Sequence, residues 1–253
     1  MESNHPIKIP VLNILAGSLL ISWREKARFS RALALPTLLL VSAWALTILF
    51  MQELKEVGPW VVWLLYLFYL LAFSIFAVTC HRLILTTDEQ SLFSVPLTRR
   101  QLKFAAWFIV VYIIYNLAKI AISITLLKFG LEPAALNPGS TLPYATVIAS
   151  TPAMYIMARL SLVFPATAVD TNIGLKWSWQ CTRHNGWRMV VIIGLYPGLI
   201  SALLWLVSRE ATTAIEQAII GLFYYLGAAV EIFALSLTYK EIAGLYIEDT
   251  LTA

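Results

Sequence analysis

PWVVWLLYLFYLLAFSIFAVT, residues Pro59–Thr79, contains no charged residue. At about 1.5 Å of rise per residue, a helix of this length matches the ~30 Å hydrocarbon core of a bilayer. Lipid cannot satisfy backbone N–H and C=O groups, so such a stretch must bond its own backbone as a helix. Five more stretches read the same way: Ala32–Met51, Phe104–Leu127, Tyr144–Pro165, Met189–Ser208 and Ala218–Tyr239. The expected fold is an all-α membrane protein with six transmembrane helices. Pro152 and Pro197 are expected to kink the fourth and fifth spans rather than end them.

Composition agrees with this reading. Of 253 residues, 60% are hydrophobic and only 13% charged, against about 25% charged in ordinary globular chains. So apolar a surface would aggregate in water but is at home in lipid tails. The formal net charge of +4 does not point to nucleic acid, because no dense run of Lys and Arg is interleaved with aromatics.

The placement of the bases matters more than their sum. Lys8, Arg24, Lys26, Arg28, Arg31, Arg82, Arg99, Arg100, Lys103, Lys176, Arg183, Arg188 and Lys240 fall on one side of the spans, and only Lys55, Lys128 and Arg209 on the other. This asymmetry is a positive-inside signal that places both termini in the cytoplasm, as for a multi-pass protein of a bacterial inner membrane. The organisation read from it is a cytoplasmic interfacial segment over 1–31, a six-helix membrane domain over 32–239 and a cytoplasmic tail over 240–253. After the apolar stretch Val11–Ile21, SWREKARFSR offers no small-residue cleavage site, so the N-terminus reads as retained. On the basic side, Cys80 and Cys181 are expected to be reduced thiols.

The chain reads as three related helical hairpins. Ser22-Trp23, Arg99 and Ser178-Trp179 open basic-aromatic segments before the first, third and fifth spans, at offsets of 77 and 79 residues. Arg82 and Arg159, each near the inner end of a span, are also 77 apart. Hairpins of two 20-residue spans have a similar length without any common origin, so this spacing does not establish a repeat.

Several local signals shape the basic side. Val11–Trp23 is too short to span and reads, with Arg24–Arg31, as a helix in the headgroup layer. Thr98 and Gln101 form a capping box that starts the third span. Asp170 reads as an N-cap and Asn185-Gly186 as a stop for a helix between them, whose Ile173, Trp177 and Cys181 put one apolar face on the membrane. Candidate contacts to lipid headgroups or a protein partner are Arg24, Arg28, Arg82, Arg99, Arg100, Trp179, Arg183 and Arg188. Simple anchoring of the topology accounts for the same residues.

Lys119, Arg159 and Glu231 fall within spans, at about 2.5–3.5 kcal/mol each for insertion. Counting helical rise from the inner ends puts Arg159 and Glu231 at compatible depths, roughly 9 and 13 Å. An Arg159–Glu231 ion pair is therefore expected, while Lys119 lies in the outer half. With Asn116 and Lys119, the pair could line a polar cavity for a transported solute or proton.

Catalytic motifs are missing. There is no HExxH, Walker loop or GxSxG elbow, so no catalytic residue and no cofactor is assigned. Cys80-His81 and Cys181-x-x-His184 would supply four metal-type ligands, but adjacent Cys-His is poor spacing for one ion, and no metal is expected. Ser161 and Ser236 are expected to bond carbonyls one turn back or a neighbouring helix, and Gly221 and Gly227 to mark close helix packing.

Arg159-Leu160, Pro165, Asp170, Ser178-Trp179, Thr182-Arg183, Asn185 and Trp187-Arg188, with weaker agreement at His81-Arg82, make a pattern that resembles a broad group of bacterial six-span inner-membrane proteins. That group looks related to the membrane domain attached to some glycerophosphodiester phosphodiesterases. The match centres on residues 155–195 and carries over no catalytic residue. It implies a membrane protein concerned with the envelope or its lipids. The expected function is non-catalytic, in lipid or envelope organisation or partner binding. The alternative is a small transporter or channel-like component built around Lys119, Arg159 and Glu231.

Overall fold

The structure, a computed structural model, describes residues 8–53, 58–86, 97–129, 143–208 and 213–251. Lys55 and Arg209, two of the three bases assigned to the far side, lie outside the described residues. Ten α-helices occur in those segments: α1 (Val11–Arg24), α2 (Lys26–Glu53), α3 (Pro59–Leu85), α4 (Arg99–Lys128), α5 (Pro143–Leu160), α6 (Val163–Ala168), α7 (Leu175–Cys181), α8 (Gly186–Val190), α9 (Tyr196–Ser208) and α10 (Ala214–Leu251). A π-helical turn, Val191–Leu195, joins α8 to α9. Among the described residues there is no strand.

Five stretches are long and apolar enough to cross a membrane: Lys26–Thr47, Trp60–Leu85, Arg99–Lys128, Gly186–Leu204 and Ile219–Ala243. α5, 18 residues long and so about 27 Å, packs against α4 to make the sixth segment. The chain is an all-α membrane protein. Its hairpins pair α2 with α3, α4 with α5, and α9 with α10. Leu38, Trp63, Leu64, Ile113, Leu117, Ile120, Leu199 and Leu203 all face outward, a belt of apolar surface that only lipid accommodates without penalty.

Prolines shape two of the segments. Pro165 cannot donate an N–H to the Ser161 carbonyl, and that carbonyl instead accepts from Phe164 at 3.1 Å. The expected fourth span to Pro165 therefore breaks at Ser161–Leu162, and α6 restarts as a separate short helix. Pro152, by contrast, sits inside α5 as expected. Pro197 likewise deprives the Ile193 carbonyl of its partner. The chain answers with the π turn, in which the Tyr196 N–H reaches back to the Val191 carbonyl. Spanning helices also run past their apolar stretches, most of all α10, which continues from Tyr239 to Leu251 through the segment read as a tail.

α10 is the central post. Against α2 and α3 it buries Tyr225, Ala229 and Phe233 among Leu33, Leu40, Phe76 and Cys80. On another face, Ala234, Leu235 and Tyr239 pack with Ile14, Ala158, Leu162, Met189 and Ile192. Small residues permit the close approaches. A Cβ on Gly227 would stand 2.8 Å from Ile200 and one on Gly221 3.3 Å from Trp44, so both are the close-packing positions expected of them. The capping box of α10 pairs the Thr213 N–H with the Glu216 carboxylate at 2.9 Å and the Glu216 N–H with the Thr213 hydroxyl at 3.2 Å.

α1 docks one face, Ile14 and Ser18, on α10, while Leu12, Leu19, Leu20 and Trp23 point outward. It ends at Arg24, and the polar residues from Lys26 onward belong to α2 instead of extending α1. The two Ser-Trp segments thus share a local plan, each lying near a break between a short helix and a spanning one, whereas the Arg99 segment is continuous with α4.

Phe233 is 1% exposed, and its ring lies tilted against that of Phe29, centroids 4.7 Å apart. Phe233→Ala is expected to lower stability by about 3 kcal/mol, the lower end for emptying a buried aromatic site. Reversible unfolding in mixed micelles would measure this.

Candidate functional site: the basic end of the bundle

Several helices begin or end with a base, and the structure ties some of these residues into three polar nodes. The first is centred on Arg159, the penultimate residue of α5, only 6% exposed. Its guanidinium donates to the Trp179 carbonyl and, at 3.3 Å, to the Thr182 hydroxyl. It also lies 3.7 Å from the centroid of the Trp179 ring and 5.7 Å from that of Tyr155, within cation–π range of both. The Arg159 carbonyl accepts from the Ser178 hydroxyl at 2.7 Å, and Ser178 and Thr182 are fully buried. The end of α5 is thereby bolted to α7, with backbone and side chain of one arginine satisfied together.

The expected Arg159–Glu231 pair does not form. Arg159 turns toward α7, and among the described residues the ion pairs are Arg28–Glu25 and Arg100–Asp170. Depth along two helices was compatible, but helical rise says nothing about azimuth. The signal for the true partners was Ser178-x-x-x-Thr182, two hydroxyls one turn apart, which lie on one face of a helix.

The second node is Asp170. It does not cap a following helix; α7 starts at Leu175, capped by Gly174. Asp170 instead closes α6 with φ 59, the left-handed position that usually holds glycine. The Thr171 N–H returns to the Ala166 carbonyl at 2.9 Å and the Asp170 N–H to the Thr167 carbonyl at 3.2 Å, the Schellman arrangement. This turn aims the carboxylate at Arg100 of α4, whose Nε lies 2.9 and 3.0 Å from its two oxygens while Nη2 also donates. Lys103 reaches Asn172 at 3.4 Å, and Arg82 reaches the Ala168 carbonyl at 3.4 Å. The bonded Arg100 guanidinium holds the Asp170 carboxyl below the ordinary carboxylate range, with Arg82 and Lys103 adding their fields. The capping box expected at Thr98 and Gln101 is present and sets the α4 start that carries Arg100.

A third node seats the N-terminal segment. Ile9 donates its N–H to the Asn185 side chain at 3.0 Å, and its carbonyl accepts from Arg188 at 3.0 Å. Asn185-Gly186 starts α8 and does not stop a helix. A Cβ on Gly186 would lie 2.5 Å from the Tyr155 hydroxyl, so glycine is required by close approach. Ile173, Trp177 and Cys181 do share a face, but it packs on the protein around Tyr239 and Met189, not on the membrane.

The remaining candidates sit apart. Arg24, Arg99 and Arg183 are exposed, and Arg28 pairs with Glu25 at 2.8 Å. Asn116 bonds the Tyr112 carbonyl of its own helix at 2.8 Å. Lys119 is half-buried farther along α4, seven residues or about 10 Å beyond Tyr112. Lys119, Arg159 and Glu231 are thus not gathered into one polar cavity.

His81 has a role that the sequence reading missed. It is 1% exposed, and its Nδ1 stands 2.8 Å from Ser236 Oγ. Ser236 gives its own proton to the Ile232 carbonyl at 2.8 Å, so the network assigns the histidine proton to Nδ1. The contact bolts α3 to α10. Ser161 bonds Ala158 at 2.7 Å, the one-turn-back bond expected of it. Burial pushes the Cys181 thiol up to about 11, and Cys80 is packed in the core. Among the described residues, His, Cys, Asp and Glu nowhere gather in threes to hold a metal ion.

Compared with protein-family models, curated proteins and solved structures, the chain gives no match.

Two predictions follow from these nodes. Arg159→Ala and Glu231→Ala should destabilise additively, to within about 0.5 kcal/mol, because the two residues do not touch; a double-mutant cycle on unfolding in detergent reads this. Asp170→Asn keeps a residue that tolerates the left-handed backbone and removes the charge. A depressed folded-state pKa means that the carboxylate stabilises above its unfolded value of about 4 and loses that contribution as pH falls through the folded value. The melting-temperature gap between wild type and Asp170→Asn should therefore be constant near neutrality and close only in acid.

Proposed function

We propose that this is a multi-pass protein of the bacterial inner membrane, with both termini cytoplasmic. Its basic end would hold anionic lipid headgroups in a non-catalytic role in organising the envelope or its lipids. The observation that carries the reading is the node at Asp170. Among the described residues, the Asp170 carboxylate faces Arg100 and Lys103 of α4, and exposed Arg99 lies next to Arg100 on the same helix. Arg99, Arg100 and Lys103 project from the α4 start, which the Thr98–Gln101 capping box sets. A preordered cationic rim loses little side-chain entropy when it meets phosphate. Each base near an anionic leaflet contributes about 1 kcal/mol of attraction.

The resemblance of residues 155–195 to the membrane domain of some glycerophosphodiester phosphodiesterases supports the same direction. A protein partner with an acidic surface could use the same rim. The transporter alternative loses its main support with the separation of Lys119, Arg159 and Glu231.

Arg99 is exposed and the Lys103–Asn172 contact is a long, exposed one at 3.4 Å, so reversing both bases should leave the fold intact. In the Arg99→Glu, Lys103→Glu double variant, native mass spectrometry should find retained anionic lipid reduced severalfold relative to wild type, while melting changes little. Equal retention would overturn the headgroup reading. Labelling of cysteines placed at Arg99 and Arg183 in intact cells tests the orientation separately, with protection from impermeant reagents as the expected result.

A further inference from the structure

Glu231 lies well away from the basic rim and serves no part of it. It lines a crevice of about 240 Å³ where α3, α4, the α5–α6 break, the π turn and α10 meet. Phe73, Phe108, Tyr112 and Phe164 supply much of the wall, and Pro197 also lines it. No Lys or Arg lines the crevice. Among the described residues no hydrogen bond or ion pair reaches the carboxylate. Nine residues of helix separate it from Lys240, a depth of about 13 Å. A carboxyl held there without a counter-ion is costly, which makes it a functional-site candidate.

The surroundings define the class of ligand. Phe108 is the hub of an aromatic cluster, 5.3 Å from Phe73, 6.2 Å from Phe164 and stacked 6.4 Å from Tyr112. Ring faces carry negative potential, and a carboxylate beside them adds a full charge, so the crevice favours a cation. A bare metal ion would need about six oxygen ligands. The wall offers the carboxyl, the Tyr112 hydroxyl and a Ser161 hydroxyl already donating to Ala158. An organic ammonium, by contrast, brings its own apolar surface and loses less hydration. The volume falls below the ~300 Å³ where drug-sized pockets begin, so the ligand is small. The π turn borders the crevice through Ile192 and Ile193, and such turns are frequent at functional sites.

We propose that this crevice binds a small apolar ammonium cation, with Glu231 as counter-ion and the rings around Phe108 as its cage.

The test uses the full chain in lipid nanodiscs and radiolabelled phenyltrimethylammonium, with empty nanodiscs as the partition control. Saturable binding above the control is expected. Glu231→Gln should weaken it by at least about tenfold, the size of effect expected from loss of a desolvated counter-ion, and Glu231→Asp should retain most of it. The neutral isostere tert-butylbenzene should fail to displace the cation from the wild-type protein, a readout that holds even if a variant does not fold. Absence of saturable binding, unchanged binding in a folded Glu231→Gln, or equal displacement by the neutral isostere would each overturn the assignment. None of these outcomes depends on the headgroup reading of the basic rim.

Discussion

A guanidinium at the end of a membrane helix, shielded from water, must find its partners inside the protein. Arg159 meets this constraint by drawing α7 against the end of α5. Trp179 supplies a carbonyl and a ring face, Thr182 a hydroxyl, and Ser178 a donor for the Arg159 carbonyl. Once α7 is held there, the turn that follows places Asn185 and Arg188 where they grip Ile9. The N-terminal segment is thereby seated beside α1, which packs on α10. One satisfied cation thus organises an end of the bundle that lipid packing alone would leave loose, because apolar helices slide against one another with little directional preference.

The rest of that end follows the same rule. Asp170 occupies a backbone position natural to glycine, at a cost of about 1–2 kcal/mol, and the two-pronged contact with Arg100 offsets part of it. His81 and Ser236 join α3 to α10 through a bond whose polarity is set by the serine's own carbonyl partner. Around these few polar contacts the packing is generic, with phenylalanine, leucine and alanine meeting across α2, α3 and α10. Specificity of arrangement comes from the polar pins and density from the apolar fill. The basic rim and the Glu231 crevice are distinct consequences. The rim gathers charges at the helix ends, and the crevice holds one carboxyl among aromatic rings.

Several features were legible in the sequence for direct physical reasons. Charge-free stretches of bilayer length declared helices. The Thr98 and Gln101 spacing declared a capping box, and lone serines in apolar helices declared back-bonding. Other readings failed because the same residue serves two local geometries. Asp170 and Asn185-Gly186 are good chemistry for either end of a helix, and only the Thr171 N–H returning to the Ala166 carbonyl and the Met189 N–H bonding the Asn185 carbonyl tell which. The face Ile173, Trp177 and Cys181 was correctly paired but wrongly aimed, since an apolar stripe fits lipid and protein equally well.

The sequence by itself determined that the chain is helical, that its helices suit a bilayer and that its bases crowd one end, because hydrophobic length and charge distribution are one-dimensional properties. Tertiary structure alone decided which polar groups meet. Arg159 and Glu231 were matched in depth, yet they face different neighbours, since the rotation of one helix about its axis relative to another is set by packing across several helices at once. The same azimuthal choice turned His81 toward Ser236 and left Glu231 facing an aromatic wall.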